Sequence, residues 1–200
     1  MTTITIQNPG EVHLHFADAA PKGLPMGGIL TGALAAALQT RQPSTPPDQG
    51  EVWPGQGGHY IGTMPAIGSA PGYHLVASPQ RGENLAYGGR DHDTPGATSQ
   101  HDGKVNTAAL LADSVPHPAA QFAAAVRTDG HTDFYLPSRA ELLLCWLCAP
   151  QLFEKSSYYW SSSQSSRHDA WIQGFEYGSS YWGGKVSEVR AVAVRQIPLL

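Results

Sequence analysis

Residues 2–6 alternate threonine with isoleucine, and after Asn8-Pro9-Gly10 the period of two resumes at Val12, Leu14 and Phe16. Alternation on both sides of a turn triplet predicts a β-hairpin. The Ala/Leu-rich run over 29–39 predicts a short helix. Residues 42–50, dense in proline with serine and glycine, suit neither helix nor strand and predict a linker. The chain therefore divides into an N-terminal module over 1–42, a linker over 43–50 and a main domain over 51–200. In that domain, 59–63 and 73–77 have strand character, and 78–104, with Pro79 and Pro95, predicts a long irregular stretch. Helices are predicted over 105–112, started by Asn106 and Thr107, and over 118–127, where Pro118 suits the first turn. A third, over 138–148, opens on the capping box Ser138-Arg139-Ala140-Glu141. Strands are predicted over 158–160, 170–175 and 190–195. Helices in the middle and strands at both ends give an α+β fold of short antiparallel strands with two to three helices.

Composition narrows the classes. Of 200 residues only 14% are charged, while 22 are glycine and 16 proline. That mix excludes a coiled coil, a helical bundle and a charge-driven disordered chain. The net charge of −4 comes without any Lys/Arg cluster, so no nucleic-acid footprint is expected. The most apolar window, 24–38, is too short to span a bilayer and follows an acidic rather than basic start. It predicts neither membrane insertion nor a signal peptide, and a chain made in a cytoplasm.

Candidate chemistry is sparse. His13 and His15 share a strand face, and His92, Asp93, His101 and Asp102 crowd one loop, yet no zinc-type spacing accompanies them. Cys145 and Cys148 match CxxC in letters, but in the later turns of a leucine-rich helix they read as buried core thiols. No nucleophile elbow, P-loop or dinucleotide fingerprint occurs. The expectation is a protein with no catalytic residues, no metal and no cofactor.

The informative segment is the last quarter. Tyr158, Tyr159, Trp160, Trp171, Tyr177, Tyr181 and Trp182 are more than half of the chain's Tyr and Trp, and serines and glycines are interleaved with them. Aromatic anchors among small adaptable residues form the palette that binding surfaces use. Trp160, Trp171 and Phe175 alternate with polar residues as inward-facing strand positions. Tyr177, Tyr181 and Trp182 sit in a Gly/Ser stretch without that period and are expected to be exposed anchors.

Four blocks in order carry a resemblance. Residues 133–142 (DFYLPSRAEL), 159–163 (YWSSS), 170–175 (AWIQGF) with Gly178, and 185–195 ending RAVAVR resemble the sequence blocks of the DUF1566 (Lcl C-terminal) family. Residues 57–62 and 101–107 resemble its prophage members, so the likeness covers most of 51–197. It implies a C-type-lectin-like fold, as found in phage tail-tip receptor-binding proteins and in the variable proteins of diversity-generating retroelements. The implied frame is Trp160, Ser161, Ser162, Ala170, Trp171, Phe175, Gly178, Arg190 and Arg195. The implied variable region spans about 158–195. Its ligand-binding positions are Ser165, Arg167, His168, Asp169, Ile172, Gly174, Glu176, Tyr177, Ser179, Ser180, Tyr181 and Trp182, with Arg167 and His168 as polar contacts. The calcium-binding motifs of sugar-binding lectins and the cysteine pair of formylglycine-generating enzymes are absent. The implied protein binds a cell-surface receptor, protein or glycan, and attaches through its N-terminal module to a phage tail or other assembly. Its place is a virion tail tip, or the bacterial cytoplasm before assembly. Analogy with fibres points to a homotrimer. The alternative is a structural assembly protein whose Ser/Tyr-rich face is a fixed subunit interface.

Overall fold

The computed structural model describes residues 3–8, 11–15 and 45–199, the first two segments as backbone only. The chain forms two compact units, residues 1–41 and 42–200. In the first, β1 (Thr3–Asn8) and β2 (Glu11–His15) pair antiparallel, Ile4 opposite Leu14 and Ile6 opposite Val12, with a register shift between Ile6 and Asn8. The helix expected over 29–39, and Phe16, lie outside the described residues.

The second unit is a mixed α+β domain. Its strands are β3 (Val52–Trp53), β4 (Gly58–Met64), β5 (Tyr73–Ala86), β6 (Tyr158–Gln164), β7 (Asp169–Gly174), β8 (Ser180–Gly184) and β9 (Glu188–Pro198). They form one seven-stranded sheet in the order β3-β4-β5-β9-β6-β7-β8. All neighbours are antiparallel except β6 and β9, which run parallel where Tyr159 meets Arg190. The last strand therefore inserts into the middle of the sheet and joins its two halves.

Three helices, α1 (Gly103–Leu111), α2 (Pro118–Ala125) and α3 (Arg139–Cys148), cover the sheet. The period of two decides which side chains meet which helix. Along β9, Ala191 and Ala193 join Trp160 and Ala170 in a core with Leu110 of α1 and Ala119, Ala120 and Ala123 of α2. Val192 and Val194 point the other way, joining Tyr159, Phe175, Leu142 and Cys145 in a core under α3.

The helix starts follow local chemistry. Pro118 occupies the first turn of α2, and Ser138 and Glu141 close both bonds of the capping box on α3. The start of α1 differs from expectation: Asp102 is its cap, its carboxylate accepting from Val105 N, and the helix begins at Gly103. Asn106 and Thr107 are instead buried within it. The Asn106 amide bonds Ser99, Ser162 and Ser163, and the Thr107 hydroxyl bonds both polar backbone atoms of Leu136.

Two further expectations fail. The irregular stretch expected over 78–104 is confined to 87–102: β5 continues to Ala86, its register against β9 shifting between Ala77 and Arg81 and again between Gly82 and Leu85. Such irregularities absorb Pro79 and Gly82 without ending the strand. The Gly/Ser stretch after 178 contains a strand, β8, which pairs only with β7 and forms one edge of the sheet. Its alternation was hidden because the face turned outward is also aromatic.

Candidate functional site

The frame around the sheet edge is built from buried polar groups, nearly all of them hydrogen-bonded; among the described residues the exception is Gln173 Oε1 on β7, buried without a partner. Ser161, Ser162 and Ser163 leave the β6–β7 ladder at a register shift and turn inward. Ser162 N donates to Pro137 O at 2.7 Å, and the Ser163 hydroxyl donates to Ser99 O at 2.6 Å. Glu141, fully buried, receives four donors: Tyr135 OH at 2.6 Å and Tyr73 OH at 2.8 Å on one oxygen, Ser138 N at 2.7 Å and Gly103 N at 3.1 Å on the other. Burial pushes the carboxyl pKa up, and those hydrogen bonds oppose the rise. Lys185, also fully buried, donates to Gln164 Oε1 and His92 O at 2.7 Å each and to Gly89 O at 3.3 Å. Arg195 grips both oxygens of Asp133, at 2.9 and 3.2 Å.

On this frame the edge presents exposed aromatics: Tyr177 is 78% exposed, Trp182 66%, Tyr181 51% and Tyr158 45%. Tyr158 and Tyr181 meet edge to face at 6.3 Å. With Tyr177, Glu176, Ser179, Gly174 and Lys155–Tyr158 they line a cleft of about 110 Å³. Gly178 shapes the loop beside it. Its φ is +71°, and a Cβ there would lie 2.4 Å from the Trp146 ring, so only glycine fits.

Tyr181 and Trp182 are strand neighbours and point to opposite faces. Trp182 lies opposite Trp171 in the register and meets it edge to face at 6.0 Å. Trp171 in turn carries the Arg139 guanidinium 3.5 Å above its ring. Trp171 was expected to point into the core, but it is half-buried on the surface under α3. Its neighbours Ala170 and Ile172 take the inward face. The three expected anchors therefore do not form one patch. Tyr177 and Tyr181 share a cleft, and Trp182 belongs to the reverse face.

Of the other expected positions, Gly174, Glu176 and Ser179 line the cleft, while Ser165, Arg167, His168 and Asp169 lie at the other end of β7. Ser165 N and Ser166 N both donate to Asp169 O, making a tight turn. Arg167 donates to Asp91 O at 2.7 Å, and His168 Nδ1 lies 2.7 Å from the Asp91 carboxylate. Both are tied to a neighbouring loop, away from the tyrosines. Ser165, Arg167, His168, Glu176, Tyr177, Tyr181 and Trp182 are exposed, while Asp169, Ile172, Gly174, Ser179 and Ser180 are half-buried.

Sequence reasoning missed Tyr158, Lys155, Ser156 and Ser157 on the cleft wall, and Arg139 on the reverse face. Nothing in Tyr158-Tyr159-Trp160 tells which aromatic faces outward. Arg139 was absorbed into the capping box, although a cation at a helix N-terminus runs against the helix dipole.

The other candidate groups are structural here. Burial pushes both the Cys145 and the Cys148 thiol pKa up, away from the reactive range. His92 Nε2 lies 2.8 Å from Asp113, which also contacts Thr94 and His117. Among the described residues no three His, Cys, Asp or Glu side chains are placed to hold a metal ion. Among the same residues no helix is long and apolar enough to cross a membrane.

No protein-family model matches the chain, and no curated protein matches it. Among solved structures it is similar to a fimbrial protein from Bacteroides ovatus, at 15% identity and a TM-score of 0.43, over 60% of this chain and 35% of that one. The likeness thus spans about a third of that protein's length, and at that TM-score it carries no argument about fold or role.

Proposed function

We propose that residues 51–200 are a non-enzymatic binding domain of C-type-lectin-like design. In this reading it displays the tyrosine cleft at the β8 edge to a ligand on a bacterial cell surface, while the N-terminal module attaches it to a phage tail or comparable assembly. The observation that carries the reading is the sharp partition at the sheet edge. Glu141, Lys185 and Ser161–Ser163 beneath it are buried and held by fixed partners, and Tyr158, Tyr177 and Tyr181 stand exposed around one cleft. Exposed tyrosines on a rigid support supply contact area at little entropic cost. The implied frame residues Trp160, Ser161, Ser162, Ala170, Phe175 and Arg195 are buried, and none of the implied variable positions is. That arrangement suits diversification of side chains without loss of fold.

Binding of wild type and of Tyr158→Ala/Tyr177→Ala/Tyr181→Ala to a panel of bacterial cells tests the reading. The variant is expected to keep its fold and lose binding to the cells that wild type recognises. Retained binding overturns the cleft as the site.

A second reading has its own support. Among the described residues β8 has one unpaired edge and, over Ser180–Gly184, neither charge nor proline to protect it. A fixed subunit contact would cover that edge. Sedimentation of the purified chain separates the two: a stable oligomer that Tyr181→Lys dissolves favours the structural reading.

A further inference from the structure

A groove lies on the reverse face of the β8 edge, around Arg139. Its walls are Gln100, His101, Arg139, Ala140, Leu143 and Ser180, enclosing about 350 Å³. That is within the range of small-ligand pockets, about 300–1,000 Å³. Ala140 and Leu143 give the groove an apolar floor, Gln100, His101 and Ser180 add polar groups, and Arg139 is its one fixed cation.

Arg139 is a local anomaly. It is the first residue of α3, where the positive end of the helix disfavours a cation. Among the described residues no carboxylate pairs with it. The nearest acid in sequence, Glu141, is saturated by its own four donors. Yet the guanidinium is firmly held: it lies 3.5 Å over the Trp171 ring, Nε donates to Ser180 Oγ at 3.0 Å, and Nη1 reaches Gln100 Oε1 at 3.5 Å. Nη2 has no partner among the described residues. A positioned, unneutralised arginine at an electrostatically unfavourable place is the kind of local inconsistency that function explains. Its planar fork matches a carboxylate with two parallel hydrogen bonds. A single cation also balances one carboxylate better than a phosphate group, whose charge is about −1.5 to −2.

The neighbouring surface decides what bears the carboxylate. Trp182, 66% exposed, lies two residues from Ser180 on the same face of β8, and its ring meets Trp171 beneath Arg139. An open indole beside a carboxylate-binding fork offers a flat apolar platform next to an anion site. His101 and Gln100 line the same groove and supply polar atoms. A pyranose ring carrying a carboxylate has an apolar C–H face, a ring of hydroxyls and one negative charge in the matching arrangement.

We propose that this groove binds a carboxylate-bearing sugar, with the carboxylate on Arg139, the ring face on Trp182 and hydroxyls toward His101 and Gln100. The site does not depend on the tyrosine cleft, which lies on the other face of β8.

The test is calorimetry and tryptophan fluorescence of the full chain with four probes: trigalacturonic acid, its methyl ester, 3′-sialyllactose and lactose. Wild type is expected to bind at least one acidic probe saturably and neither neutral partner. Arg139→Gln should weaken that binding about tenfold or more, as loss of a charge-assisted pair implies. Trp182→Ala, which leaves Arg139, Trp171 and the helix in place, should weaken it as well and abolish the fluorescence change. The Tyr158/Tyr177/Tyr181 variant should bind the acidic probe as wild type does. No saturable binding of either acidic probe overturns the proposal, as does equal binding by Arg139→Gln or Trp182→Ala. Displacement of the probe by inorganic phosphate at equal concentration overturns the preference for a carboxylate. Cell binding lost only with the tyrosines, without acidic-sugar binding, would sink this site and leave the cleft standing.

Discussion

The interior beneath α3 and the outer edge at β8 use similar residue types to opposite ends. Under α3, Tyr73 and Tyr135 spend their hydroxyls on Glu141, and Ser161–Ser163 are closed into loops and helices. At the edge, Tyr158, Tyr177 and Tyr181 turn their rings to solvent around a cleft, and Arg139 carries a charge that no acid among the described residues neutralises. Tyrosine, serine and charge are thus structural where every bond is internal and available for recognition where bonds are left open. Residue type alone does not divide the two regions. Satisfaction does.

That contrast is broken most severely at Glu141. Glu141→Ala leaves the Tyr135 hydroxyl and two backbone N–H groups buried without that acceptor, while the half-buried Tyr73 hydroxyl keeps His101 O at 3.4 Å, a loss expected to cost about 3–5 kcal/mol. Urea denaturation measures it. A loss below about 1 kcal/mol would place Glu141 among ordinary surface substitutions and remove the basis for calling the interior saturated.

Lys185 is the next largest. Lys185→Met removes three hydrogen bonds from Gln164, His92 and Gly89 while keeping most of the volume, and should cost about 2–3 kcal/mol by the same denaturation. Gln164 Oε1 would keep Thr94 N as a donor, so the loss should be smaller than at Glu141. Burial pushes the ammonium pKa down. Equal or greater stability in the Met variant would mean that the buried cation is only a burden.

A third effect is graded by pH. Burial holds the His117 pKa below 6.5, although its Nδ1 donates to Tyr87 O and its Nε2 faces Asp113. Burial lowers His74 in the same direction. A depressed pKa means that the unfolded chain binds the proton first, so stability should fall as pH drops below about 6.5. Asp113, held below the usual carboxylate range by Thr94, Ser114, His117 and His92 against the opposing effect of burial, extends the loss into the acid range. Asp133 does likewise through Arg195, again against burial. Denaturation midpoints at pH 8, 6 and 5 should therefore descend. His117→Asn, whose amide stands near the Nδ1 position, should flatten the first step. A midpoint that rises on acidification would reverse the sign and overturn the assignment.

How much of this was legible in the sequence follows the same division. The capping box at Ser138, the alternation in Ala191–Val194 and the buried Trp160 and Phe175 are local patterns, and the structure has them in place. Both faces of β9 are buried, so its period shows only as alanine against valine. What the sequence did not yield depends on partners distant along the chain. β8 is a strand because β7 lies beside it, Trp171 faces outward because Arg139 stacks on it from α3, and Asn106 is buried because Ser99 and Ser162 surround it. Periodicity tells that Tyr181 and Trp182 part company only once the strand is known. In a Gly/Ser run with aromatics at successive positions the pattern has no polar face to mark it.

The smallest expected change in stability is also the sharpest test of the contrast. Tyr177→Ala/Tyr181→Ala removes two rings whose hydroxyls close no internal network. Tyr177 hydrogen-bonds Glu176, which pushes the phenol pKa up by hydrogen bond and charge. Tyr181 touches Tyr158 edge to face, and Tyr158 is itself exposed. Truncating exposed side chains away from caps, cavities and buried pairs leaves stability nearly unchanged. Thermal melting of the double variant should therefore superimpose on wild type. Trp171→Ala at the same edge should melt lower, because its ring carries Arg139 and packs against Trp182. If the double variant falls as far as Trp171→Ala, the tyrosines are part of the fold, and the edge is no freer than the interior. If the two separate, the aromatic side chains of β7 and β8 divide into supports and contacts, one residue apart along the same strands.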